Sequence, residues 1–123
     1  MVYVVNVGDV GRVRLEKGEA EGVWVRYLVG EEQGAGRFYL RLYEVEPGGR
    51  TPLDRHVYEH EVYILQGVAA LLYEENGMRR TREVKQGDVI FIASDEMHQF
   101  INIGEDKLVF LCVRGAERIY GEK

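Results

Sequence analysis

No stretch of this chain repeats its apolar residues at a sustained helical spacing. The sequence is cut instead into short runs rich in β-branched and aromatic residues, each ended by glycine or by charged turn residues. Strand-like runs fall at residues 2–7, 12–15, 23–29, 37–46, 54–58, 60–66, 68–74, 78–85, 89–92, 97–103 and 107–114. Turns recurring every roughly 8–12 residues predict an all-β sandwich or barrel. Asn76-Gly77, between two such runs, is a strong hairpin signal, because both residues accept the positive φ that a two-residue turn demands. Glu74 and Glu75 before that turn would face the basic group Arg79, Arg80 and Arg82 after it. Pro47-Gly48-Gly49 reads as a further turn. The tail, residues 115–123, offers only Ile119 and Tyr120 to bury and reads as a short helix or a docked arm.

At 123 residues one domain is expected, and a chain of that size can bury a core without cross-links. Cys112 is the single cysteine, which excludes an internal disulfide and a cysteine-rich zinc site. The first residues carry no basic group ahead of their apolar run, and no apolar run approaches the roughly 20 residues of a membrane helix. A cytoplasmic protein is expected. A net charge of −5 with dispersed arginines disfavours nucleic acid as a partner. Abundant Glu and Arg beside scarce Asn, Gln, Ser and Met suit a thermophile's surface. Ser94, the only serine, lacks a Gly-x-Ser-x-Gly context, and no phosphate-binding glycine loop occurs, so triad hydrolysis and P-loop chemistry are set aside.

What chemistry remains is concentrated. The three histidines, His56, His60 and His98, fall in two stretches, residues 47–67 and 87–102. Asp54 stands two before His56, on the same face if that segment is extended. Imidazole and carboxylate donors from two distant segments point to a metal site, with Glu59 and Glu61 near to orient a ring. Strand parity groups His60 with Val62 and Ile64, and Glu61 with Tyr63 and Leu65; both sets are apolar, so parity does not say which faces inward.

The stretch Pro-Gly-Gly-x-Thr-Pro-x-x-x-His-x-x-Glu-His-Glu from Pro47 to Glu61, closed by Gly67, resembles the first cupin motif. Gly87, Asp88, His98 and Asn102 match the second. The resemblance implies a small double-stranded β-helix barrel, or jelly roll, with one metal inside. Asp54 occupies the place of the family's first histidine, Ala93 that of its proline and Asp95 that of a glycine. Family spacing puts the acidic ligand at Glu61, but His60 can serve. The preferred set is Asp54, His56, His60 and His98 around one divalent transition metal (Fe, Mn, Zn, Ni or Cu). Glu61, if unligated, becomes the candidate general base. Asn102 reads as a hydrogen-bonding turn residue.

Arg41, Phe110 and Cys112 are candidate pocket residues, since the resemblance places their strands along the cavity. An inward Arg41 would hold an anionic substrate group; pairing with Glu44 or Glu46 outside is the alternative preferred on sequence alone. Cys112 also reads as a small buried hydrophobe. The expected function is a metal-dependent small-molecule enzyme, oxygenase-like ahead of isomerase, decarboxylase or lyase chemistry. The alternative is a barrel that binds a small ligand without turnover. The resemblance also implies a homodimer, with residues 2–29 expected at its interface.

Overall fold

A computed structural model describes residues 1–121 as a single curled antiparallel sheet. Nine strands make it up: β1 (Val13–Arg14), β2 (Glu21–Val29), β3 (Phe38–Arg50), β4 (His60–Gln66), β5 (Val68–Glu75), β6 (Met78–Lys85), β7 (Val89–Ile92), β8 (His98–Asn102) and β9 (Leu108–Gly115). Their order is β6-β5-β8-β3-β9-β4-β7, with β2 on the other side of β3 and β1 outside β2. Curling brings the inner faces together as a jelly-roll β-barrel. Inside are Val45, Val62, Ile64, Ala69, Phe100, Leu108 and Phe110, packed with Val23 and Val25 of β2.

The β5–β6 hairpin follows its turn chemistry. Asn76 and Gly77 adopt φ of 53° and 76°, and Glu75 pairs with Met78 across a two-residue loop. Arg80 reaches Glu75 at 3.1 Å, while Glu74 turns away to Arg55 at 3.2 Å.

Three expectations are corrected. Pro47-Gly48-Gly49 does not end a strand; it is a bend inside β3, where the strand passes from pairing with β9 (Phe38 to Val45) to pairing with β8 at Arg50. The register against β2 also jumps here, from Val23↔Val45 to Glu21↔Arg50. Gly48 takes φ of 80°, and a Cβ on Gly49 would lie 2.5 Å from the Glu21 carbonyl oxygen, so the bend needs both glycines. Second, residues 54–58 form no strand. The segment crosses the barrel mouth after Pro52, and only Asp54 makes a β-bridge, exchanging backbone hydrogen bonds with His98 at 3.0 and 2.9 Å. Third, residues 2–7 pair with no strand. Val2 and Val4 are exposed, and Val7–Asp9 is a 3-10 turn capped by the Asn6 side chain. The side of β2 away from β3 is taken by β1 at Val13 and Arg14, so this arm does not extend that edge. The tail docks as the 3-10 turn Glu117–Tyr120, whose Tyr120 hydroxyl accepts from the Glu59 amide at 3.2 Å; residues 122 and 123 lie outside the described part.

On the outward face of β3, Glu44 is buried under three cations: Arg12 at 3.0 Å, Arg26 at 3.2 Å and Lys107 at 3.4 Å. Burial alone would raise its pKa, but hydrogen bonds from Arg26, Lys107 and Arg12 outweigh this and hold the carboxyl below its ordinary value. A depressed folded-state pKa contributes stability above the unfolded value, lost as pH falls through the folded one. Glu44→Gln is therefore expected to lower the unfolding free energy by about 1–2 kcal/mol at pH 7. In urea titrations the deficit should shrink as pH falls below the carboxylate range. A deficit independent of pH would assign the loss to packing instead.

Candidate metal centre

Three different elements deliver the histidines. His56 sits on the mouth-crossing loop, His60 opens β4 and His98 opens β8. The ring centroids lie 5.3 Å (His56–His60), 5.7 Å (His56–His98) and 5.0 Å (His60–His98) apart. One nitrogen from each ring falls within 4.8 Å of the others. The loop is registered over β8 by the Asp54–His98 backbone bridge, which carries His56 to His98 although 42 residues separate them in sequence.

Burial settles the parity left open above. His60, Val62 and Ile64 face inward, whereas Glu61, Tyr63 and Leu65 are exposed on the outer face of β4. Glu61 is thus neither in the cluster nor at the cavity, which corrects its candidacy as general base. Asp54 also stands outside the three-nitrogen group. Its carboxylate lies 3.4 Å from His56 Nε2 and 3.3 Å from Lys17 Nζ. The His56 contact, with Lys17 behind it, draws the Asp54 pKa down to about 2 against the opposing effect of burial, so this side chain is an anion that can hold the His56 ring.

The donor chemistry fits a divalent cation. His60 Nε2 is buried with no hydrogen-bond partner among the described residues, while its Nδ1 lies 3.4 Å from Cys112 Sγ. An orphaned imidazole nitrogen costs free energy that a bound cation would recover. Burial above all, with the nearby His98 and Arg41, pushes the His60 pKa down to about 2, so the lone pair is free at neutral pH. His98 Nδ1–H faces the Glu96 carbonyl at 2.9 Å, which leaves its Nε2 lone pair for ligation. Its pKa is lowered as well, by burial first, against the Glu96 hydrogen bond.

The cluster opens on a cavity of about 450 Å³ inside the barrel. Arg41, Phe110 and Cys112 all line it, so Arg41 points inward; the pairing with Glu44 preferred on sequence is overturned, because Glu44 on the opposite face of β3 belongs to Arg12, Arg26 and Lys107. Cys112 is buried, and burial raises its pKa, so it is a neutral thiol. Asn102 lies away from the cavity and ties the barrel together, donating to the Val45 and Asp106 carbonyls at 2.9 and 3.0 Å and accepting from the Gly104 amide at 2.9 Å.

Sequence reasoning missed Tyr58 and Arg114. Tyr58 stacks on His56 at 4.5 Å between centroids, and the Arg114 guanidinium covers the Tyr58 ring at 3.9 Å. Arg114 could have been found from parity, since it shares the β9 face of Phe110 and Cys112. Tyr58 stands two after His56, so the spacing that links Asp54 to His56 also reaches it, although the segment is a loop.

A family model described as a cupin domain matches residues 41–114. The chain belongs to the cupin family. This cupin is 33% identical over 107 residues to an oxalate-binding protein of Thermotoga maritima, covering 85% of this chain and 82% of that relative. It is 37% identical over 79 residues to a 1-methylthio-D-xylulose 5-phosphate methylsulfurylase of Rhodospirillum rubrum; that match takes in 64% of this chain and only 48% of the enzyme. Among solved structures, the polyketide cyclase RemF from Streptomyces resistomycificus superposes with a TM-score of 0.84 at 36% identity, covering 94% of this chain and 80% of that one. Relatives with such different roles share a barrel, so function resides in the site and not in the fold.

Proposed function

We propose that this cupin is a metal-dependent small-molecule enzyme whose centre is held by His56, His60 and His98. The observation that carries this reading is the convergence of three imidazoles at a cavity, with one nitrogen buried and unpartnered. Three protein donors with a carboxylate beside them, rather than four closed around an ion, match the open sites in which metals act catalytically. A divalent ion bound there supplies Lewis acidity with vacant positions or, as iron, oxygen activation.

The chain's own residues do the rest. Asp54 and Lys17 form a charged pair at the cavity that orients His56. The Glu96 carbonyl fixes the tautomer of His98. Aromatic side chains, Tyr43, Tyr58, Phe100 and Phe110 among them, wall the cavity and keep water from a bound molecule. Oxygen-dependent turnover is the first reaction class proposed. The likeness to RemF, a polyketide cyclase, supports cyclisation as the second.

Untagged protein analysed for metal, then assayed with and without oxygen, tests both. Stoichiometric metal with metal-dependent turnover supports the enzyme, and oxygen uptake separates the two classes. A non-catalytic reading is favoured by the oxalate-binding relative alone; it predicts protein that binds oxalate with no turnover under any metal. Homodimerisation through the exposed arm at residues 2–7 is proposed with it, and a monomer on analytical ultracentrifugation would refute that.

A further inference from the structure

The cations and anions at the cavity do not balance. Of the carboxylates lining it, Asp54 is taken by Lys17 and His56, and Glu117 is paired with Arg114. Arg41 forms no ion pair among the described residues. Its Nε is buried without a hydrogen-bond partner, and its Nη2 reaches only Cys112 Sγ at 3.5 Å, a weak acceptor. The ring of Tyr43, 5.2 Å from the Arg41 carbon, offers a π face and no charge. A guanidinium left inside a barrel with donors unused is expensive unless an anion completes it.

We infer that the cavity takes a small organic acid whose carboxylate is gripped by Arg41 while its apolar body lies against the aromatic wall. A planar carboxylate matches the guanidinium fork in two parallel bonds. One unpaired cation calls for one negative charge, so a carboxylate suits the site better than a phosphate dianion. Phe100, Phe110 and Tyr43 form a continuous aromatic surface, with both Phe100–Phe110 and Tyr43–Phe110 centroids at 4.9 Å, which favours a flat or unsaturated body. This inference shares its cavity with the metal-centre reading but needs no metal.

The test uses three probes, benzoate, benzamide and phenyl phosphate, titrated into the full chain after chelator treatment and again after loading with Zn²⁺. Wild-type metal-free protein is expected to bind benzoate at least about tenfold more tightly than benzamide, and more tightly than phenyl phosphate. Arg41→Gln should erase that preference, leaving benzamide binding within about twofold and Zn²⁺ uptake unchanged. Arg41→Lys, which keeps the charge without the fork, should fall between the two. Equal binding of benzoate and benzamide by the wild type overturns the inference, as does an Arg41→Gln variant that keeps the preference. If Arg41→Gln does not fold, Arg41→Lys and the wild-type ratio decide it, a benzoate affinity in Arg41→Lys equal to wild type counting against the fork. Phenyl phosphate as the tightest probe overturns the single-charge assignment. Failure to take up Zn²⁺ would sink the metal centre while leaving the metal-free titrations to judge Arg41.

Discussion

Exchange of His60 for alanine is expected to weaken binding of a divalent cation by at least about a hundredfold, since losing even a supporting partner of a ligand costs tenfold to a hundredfold. Competition against a chromophoric chelator, with Zn²⁺ and Co²⁺, measures this directly. The metal-free variant should nonetheless fold with stability within about 1 kcal/mol of wild type. The substitution removes apolar contacts of a buried ring, but it also removes a nitrogen that is buried without a partner. Loss of affinity without loss of stability is the signature of a binding group, and a core residue would lose both. Glu61→Ala, on the outer face of the same strand, serves as control and should bind metal as wild type does. Unaltered affinity in His60→Ala would remove the centre proposed for this protein.

The second large effect falls on the barrel wall. Phe110 is 3% exposed, stacks against Tyr43 with planes 8° apart, and packs on Phe100. Phe110→Ala is expected to cost about 3–5 kcal/mol, the range for deleting a buried aromatic whose surroundings do not collapse into the space. A domain of this size has about 5–15 kcal/mol in total, so the variant should unfold at markedly lower urea or not accumulate folded at all. Phe110→Leu, which keeps part of the volume, should lose less. Val89→Ala on β7, 75% exposed, should stay within about 0.5 kcal/mol of wild type. A Phe110→Ala loss as small as that of Val89→Ala would mean that the cavity wall is not part of the packed core.

Much of this was legible in the residues because strands and hairpins are local. The apolar run from Val62 to Leu65, the Asn76-Gly77 turn and the run from Leu108 to Val113 each mark an element without knowledge of its neighbours. Errors arose where a residue's conformation depends on a distant strand. Pro47-Gly48-Gly49 carries every local sign of a chain reversal. It is a bend in one strand because β9 and β8 take the two ends of β3 in turn. Residues 2–7 have strand composition but pair with no strand of the sheet. Residues 54–58 have the spacing of a strand face but serve as a loop, held by one bridge to β8.

Sequence alone established a small all-β chain of the cupin type and gathered its only histidines into two motifs, because turn chemistry and motif spacing are written in neighbouring residues. Tertiary structure alone decided that His60 and not Glu61 turns inward, that Asp54 stands beside the cluster holding His56, and that Arg41 faces the cavity with its charge unpaired. Those outcomes depend on which face of each strand the closed sheet hides from water. Alternation leaves that choice open when both faces carry apolar side chains.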